Sequence, residues 1–248
     1  MGRNSSSIAA SQADVTITEV SDPSFPFATV VPGSSIGGIA GDNIGSIDTV
    51  KSAGTITANR AGSIFVGGIV GVNELGGNII ASYTTASVTG NSTAPSVSSA
   101  EVGGIVGGQG VGGSTVYVIA NGPVSLVGAG AVGGLTGSDD PSDSSVIGSY
   151  FNTDTTGQTV SGAVGEAASD AQGVTTAFLT DRDAFFADAN SNGWNFISIW
   201  AIPQDGGDHA RLFEIDPVIT ADDASEVPPE FQFNSTSDDF TAPDPFFN

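Results

Sequence analysis

Asp188, Asn190 and Asn192 place oxygen-bearing side chains at alternate positions and are followed by Gly193. That order is the first half of a calcium-binding loop, in which the ligands wrap the ion and the glycine makes the sharp turn. A complete loop carries a bidentate Glu at its twelfth position, where this chain has Ile199, so the stronger reading is an Asn/Gly turn at the end of a helix. Asp188, Asn190 and Asn192 are therefore the one weak metal candidate, calcium the one cofactor considered, and no catalytic or cofactor-binding residue is assigned. His209, flanked by Asp208 and Arg211, is the only histidine. A Ser-His-Asp triad would need a positioned nucleophile, and none of the serines sits in a nucleophile elbow, so a surface histidine in a polar turn is expected.

Charge narrows the partners further. The chain has 27 acidic and 5 basic residues among 248, a formal charge of -22. Nucleic acid and anionic membranes are both excluded as expected partners, because each is held by Lys and Arg. Lys51, Arg60, Arg182 and Arg211 are too dispersed to clamp an acidic sugar, whereas a carboxylate pair could still hydrolyse a neutral one. The acidity fits cation attraction or a high-salt habitat equally. With no cysteine, disulfides and thiolate chemistry are ruled out. The start lacks the apolar run of a signal peptide, and no stretch of 18 apolar residues occurs, so an exported chain would have lost its signal or be part of a longer one.

The elements that must carry any site are set by a six-residue phrase that recurs four times. It reads Ile36-Gly37-Gly38-Ile39-Ala40-Gly41, Val66-Gly67-Gly68-Ile69-Val70-Gly71, Val102-Gly103-Gly104-Ile105-Val106-Gly107 and Val132-Gly133-Gly134-Leu135-Thr136-Gly137. The first glycines are spaced by 30, 36 and 30 residues, a period that signals a repeat architecture. Two apolar positions three apart with Gly-Gly between them predict a bend, since glycine tolerates positive φ and close backbone approach. Asn43, Asn73, Gln109 and Asp139 follow each phrase and could serve turns or stack as a polar ladder. Further apolar positions recur at Ile47, Ile79, Val116 and Val146, and at Ile56, Val88 and Val124. Each period therefore holds about three short strands, and stacking would align Ile39, Ile69, Ile105 and Leu135 as one interior column. The expected fold class is all-β: a parallel β-helix of about four glycine-framed coils with a small C-terminal helix-plus-strand cap. The alternative, Gly/Ser-rich disorder, is disfavoured by a 39% hydrophobic content held at fixed positions.

Gly67-Gly68-Ile69-Val70-Gly71-Val72-Asn73, followed by Ala81-Ser82-Tyr83-Thr84-Thr85-Ala86-Ser87-Val88, resembles the GLUG-motif repeat of large bacterial surface proteins such as filamentous-haemagglutinin-like adhesins. The Ser-Tyr segment is replaced by Lys51-Ser52-Ala53-Gly54 in the first copy and Ile119-Ala120-Asn121-Gly122 in the third, and returns as Ser149-Tyr150-Phe151 in the fourth. The resemblance covers roughly residues 36–153. It implies a β-solenoid and an extracellular, cell-surface setting, and brings no catalytic residues.

Four segments are expected: an N-terminal extension and cap at 1–35, the repeats at 36–153, a C-terminal cap at 154–213 and an acidic tail at 214–248. Residues 1–13 read as unstructured, and Val15-Thr16-Ile17-Thr18 as a strand. Asn91 to Ala100 reads as an insertion that leaves the coil as a loop and Asp139 to Asp143 as a second candidate protrusion, either of which could form a binding face, although plain solvated turns are the stronger reading for both. Phe178, Leu179, Phe185 and Phe186 predict one face of a short helix with a Thr near its N-cap. Trp194 to Ile202 alternates as a strand, and together these elements suit a lid over the open end, with both Trp residues in its core. A similar Ser-Tyr opening, short helix and Gly-Trp-Asn-Phe close follows the repeats in GLUG-type proteins. The tail has nine acids, five prolines and no base. Laying Phe231-Gln232-Phe233 on the edge of a neighbouring subunit is one way of holding it.

The functional expectation is a non-enzymatic extracellular module for adhesion or surface structure. Its expected partners are other copies of itself, a larger parent chain, or surface glycans and proteins. The alternatives are a self-assembling filament subunit and a carbohydrate-active β-helix enzyme.

Overall fold

The computed structural model describes residues 2–20, 33–60, 62–92, 100–140, 144–162, 170–202 and 209–212. Among them the chain winds as a β-solenoid whose strands stack in parallel into three walls. The first wall holds Ser34–Gly37, Ile64–Gly67, Ala100–Gly103 and Ala131–Gly133. The second holds Arg3–Asn4, Ala40–Asn43, Val70–Asn73, Val106–Gln109 and Thr136–Asp139. The third is longest, starting with Ser7–Val20 and Ser46–Arg60 and continuing as shorter strands such as Tyr83–Thr84, Ser87–Ser92 and Tyr150–Asn152.

Each glycine phrase is the corner between the first and second walls. Its apolar residue continues the ladder there: the Ile39 amide donates to the Ile69 carbonyl at 2.9 Å, Ile69 to Ile105 at 2.9 Å and Ile105 to Leu135 at 2.8 Å. Ile69, Ile105 and Leu135 are wholly buried in one column, and Ile39 is half-buried at its end. Positive φ is not what the glycines supply, because none in the four phrases adopts it. They supply the absence of a side chain. A Cβ on Gly68 would lie 2.8 Å from Thr84 Cγ2 across the interior, and one on Gly104 2.6 Å from Ala120 Cβ. A Cβ on Gly107 would lie 2.6 Å from the Phe65 carbonyl carbon, because the second wall lies there against first-wall backbone. Real Cβ atoms do not come so close, and dense interiors leave no slack for it.

The third wall turns its own corner where glycine is almost absent. Ala10, Thr49, Ala81, Tyr117 and Gly148 all have φ between 46° and 56° and occupy equivalent positions on successive coils. A stacked row of left-handed residues bends this wall. The bend carries local strain, greatest at the β-branched Thr49.

Two interior clusters result. Ile36, Val66 and Val102 face Ile56, Val88 and Val124, while Val70 and Val106 share a cluster with Ile47, Ile79, Val146 and the corner column. Val116 does not belong to that column. Thr115 pairs with Ile79 and Val146 and is buried, leaving Val116 level with Ile80 and Ile147. Residues 1–13 also depart from expectation. Arg3–Asn4 extends the second wall and Ser7–Val20 pairs with Ser46–Arg60 throughout, because Ile8, Val15 and Ile17 continue the apolar columns.

At the other end, residues 160–161 accept the backbone bonds of Gly134, Leu135 and Thr136, and Gln172–Val174 pairs with Tyr150–Asn152. Three helices accompany this end: α1 at Thr153–Thr156, α2 at Thr176–Thr180 and α3 at Arg182–Ser191. The single helix expected around Phe178 to Phe186 is thus two. Thr175 N-caps α2 as foreseen, but Asp181 leaves helical geometry and accepts from the Ala184 amide, starting α3. Nor do residues 194–202 form one strand. Asn195 Oδ1 accepts from the amides of Ile197 and Ser198, closing a turn, and only Trp200–Ala201 is extended, paired antiparallel with Arg211–Leu212. Side-chain capping of this kind outcompetes a strand ladder.

Candidate functional site

Polar side chains occupy two kinds of place. The first is internal. Asn4, Asn43, Asn73, Gln109 and Asp139 are stacked in register on the second wall and all are buried. Asn4 Nδ2 donates to Asn43 Oδ1 at 2.8 Å, and Asn43 Nδ2 donates to Asn73 Oδ1 at 2.8 Å. Asn73 and Gln109 also donate to the carbonyls of Ser114 and Ser145 on the third wall, at 3.1 and 2.9 Å. The ladder closes the corner between two walls and satisfies buried backbone acceptors, as a dry interior requires. Asp139, which the sequence offered both as a ladder residue and as the start of a protruding loop, is the last rung and accepts from Thr136 Oγ1 at 2.9 Å. Pro141 to Asp143 and residues 93–99 of the other expected loop lie outside the described residues.

The second is the outer face of the third wall, where Lys51, Tyr83, Ile119 and Tyr150 stand in register. Tyr83, Ile119 and Tyr150 are buried beneath α2, α3 and the Trp200–Ala201 pair, together with Leu179, Phe185, Trp194 and Trp200. The C-terminal elements thus cover a side of the solenoid as well as following its end. Tyr150 meets Phe185 edge-on at 5.2 Å, and Trp194 Nε1 donates to the Gly148 carbonyl at 2.6 Å. Both tryptophans are core residues, as expected.

His209 belongs to this interface and is not on the surface. It is 2% exposed, its ring lies edge-on to Tyr83 at 4.9 Å, and Nδ1 is 3.1 Å from Asn121 Nδ2. The contrary expectation rested on polar neighbours in sequence, of which Asp208 lies outside the described residues. Asp188 and Asn192 are turned onto one group: the Tyr150 hydroxyl donates to Asp188 Oδ2 at 2.8 Å and accepts from Asn192 Nδ2 at 3.0 Å. Asn190 is exposed, half a turn away on the same helix. Asn192 is the C-cap of α3 and Gly193 has φ 91°, the helix-ending turn that the sequence favoured. Burial, followed by the influence of Asp188, raises the Tyr150 pKa well above the usual phenol range, and Asn192 offsets it in part.

A groove of about 530 Å³ runs outside the corner between the first and second walls. Phe65 and Glu101 line it from one wall, Asp42, Val72, Gly108 and Ser138 from the other. Glu101 accepts a hydrogen bond from Ser138 Oγ. Burial raises its pKa, and this hydrogen bond opposes the shift. No group of three His, Cys, Asp or Glu side chains among the described residues is arranged to hold a metal ion.

No family model, curated protein or solved structure matches this chain.

The site residues named from sequence are therefore distributed as follows. Asp188 and Asn192 converge on Tyr150, Asn190 does not join them, and His209 stands separately against Tyr83 and Asn121. Sequence reasoning missed Asn4, Thr115 and the groove pair Glu101 and Ser138. Asn4 lies 39 residues before Asn43 without a glycine phrase of its own, so the period did not reach it.

Proposed function

We propose that the chain is a non-enzymatic, extracellular β-solenoid module that attaches surfaces or builds surface structure, working through its outer walls. What supports this reading above all is how the repeated polar residues are used: Asn43, Asn73 and Gln109 are spent on joining one coil to the next. A fold whose repeated groups serve stacking offers extended, regular flanks as its binding surfaces. The likeness of Gly67 to Asn73 and Ala81 to Val88 to the GLUG repeat points the same way. Partners in this reading are surface glycans or proteins, or neighbouring domains of a parent chain. The test is binding of the purified chain to arrays of immobilised glycans and matrix proteins, alongside a glycan-hydrolysis screen. Saturable binding without turnover supports the reading; turnover of any glycan overturns it.

A filament subunit is the second reading, and one observation favours it. Ser7–Val20 pairs along one edge only among the described residues, and a 14-residue edge of unpaired backbone groups can template another strand. Electron microscopy of the purified chain distinguishes isolated rods from polymers. The tail segment Phe231 to Phe233, considered for such joining, lies outside the described residues.

A further inference from the structure

The third wall presents a second outer surface, beyond the part covered by the C-terminal helices. On Ser7–Val20 it carries Thr16 and Thr18, on Ser46–Arg60 Thr55 and Thr57, on Ser87–Ser92 Ser87 and Thr89, and on Val124–Val127 Ser125. Pairing aligns these as two columns, Thr16-Thr55-Ser87 and Thr18-Thr57-Thr89-Ser125. The residue just before the second column on each strand, Ile17, Ile56, Val88 or Val124, packs into the core, so the hydroxyls on either side of it face outward. Thr16, Thr18, Thr55 and Ser125 are exposed, and Thr57, Ser87 and Thr89 partly so.

The array repeats in two directions, by about 4.8 Å from coil to coil and about 7 Å along a strand. On a chain with 27 acidic residues these two columns carry neither a charge nor an aromatic ring; exposed Asp14 borders them on one side, and on the other stands the column Val20-Asn59-Asn91-Val127, in which Asn91 Nδ2 donates to Asn59 Oδ1 at 2.5 Å. These facts bear on what could fit it. Glycan recognition relies on aromatic platforms and on carboxylate or bidentate amide groups, and none stands in the two columns. A protein partner would need a buried apolar or Arg-rich centre, also missing. A rigid lattice of hydroxyls and methyls, repeating at spacings close to those between oxygens in hexagonal ice, matches ordered water instead. Many weak contacts add up when both surfaces are already ordered, because neither loses freedom on meeting. Charged groups, which hold their own hydration shells, would spoil that match.

We propose that this hydroxyl face binds ice. The proposal does not depend on the attachment reading above. Its test is partition of the full chain into a slowly growing ice front, with inhibition of ice recrystallisation as a second readout. The wild-type chain is expected to enrich in the ice fraction. Thr89→Lys, at the centre of the array, should lower that enrichment about tenfold, the equivalent of about 1.4 kcal/mol. Ile197→Lys, on the exposed turn of the C-terminal region, should leave it unchanged. Circular dichroism checks the fold, and if Thr89→Lys unfolds, Thr16→Lys on the outermost strand reads the same face. A wild-type chain that stays in the liquid fraction overturns the proposal. So does a folded Thr89→Lys or Thr16→Lys chain that partitions like wild type, or binding to insoluble cellulose or chitin without enrichment in ice.

Discussion

Gly134 faces the ring of Phe151 across the interior so closely that a methyl group on residue 134 would stand 2.8 Å from Cε2. The equivalent second-glycine positions, Gly38, Gly68 and Gly104, face Ser52, Thr84 and Ala120. The fourth coil thus places its largest inward side chain opposite a residue with none. Gly134→Ala should destabilise the fold by about 3 kcal/mol, the upper range for overpacking. Combining it with Phe151→Leu should cost less than the sum of the single changes by about 1 kcal/mol or more. Urea denaturation of the four proteins measures this; strict additivity would show that the two residues do not compete for one space.

Asn73 is the central rung of the buried ladder, accepting from Asn43 and donating to Ser114. Asn73→Ala should cost about 2–3 kcal/mol, because it strands polar groups in a dry interior. Asn4→Ala, at the open end of the same ladder, should cost less. Chemical denaturation midpoints rank the two, and equal losses would mean that the rungs do not act as a stack.

Thr49 holds φ 54° in the row of left-handed residues at the third-wall corner. A glycine adopts this conformation without the clash of a β-branched side chain. Thr49→Gly should therefore raise stability by about 0.5–1 kcal/mol, although glycine elsewhere in a strand lowers it. A thermal melt decides the sign, with Thr57→Gly on the straight part of the same strand as the opposite case.

Tyr150 carries one hydrogen bond to Asp188 and one from Asn192 beneath the aromatic cover. Tyr150→Phe should lower stability by about 1–2 kcal/mol at neutral pH. Because its folded pKa is raised by burial, the contribution is complete below the unfolded value near 10 and is lost as the pH climbs toward the folded one. Stability of the wild type should fall above about pH 10 more steeply than that of Tyr150→Phe.

Glu101 gives a second pH effect of the same sign at the acid end. Its pKa is raised by burial, so the folded state favours the protonated acid, and stability declines as pH rises from 4.5 through the raised value. Glu101→Gln should flatten this slope and raise the melting temperature at neutral pH. A variant that melts below wild type at pH 7 would mean that the Ser138 bond outweighs desolvation.

The sequence by itself determined the winding. Four glycine phrases at near-constant spacing, with Ile, Val and Leu at fixed offsets, leave a chain without disulfides one way to bury that many apolar residues: stacked coils. Ile69, Ile105 and Leu135 form the shared column for that reason, and Asn43, Asn73 and Gln109 the ladder. What periodicity could not carry was decided by contacts between distant segments. Ala10, Thr49, Ala81 and Tyr117 share no residue type that marks a left-handed corner, so only pairing reveals the row they make. The phrase glycines are required because backbone and side chains from other coils occupy the space of a Cβ, a steric fact with no local signature. His209, polar in sequence and buried in the fold, records the same principle. A residue's neighbours along the chain set its local backbone, while its solvent exposure depends on which wall of the solenoid closes over it.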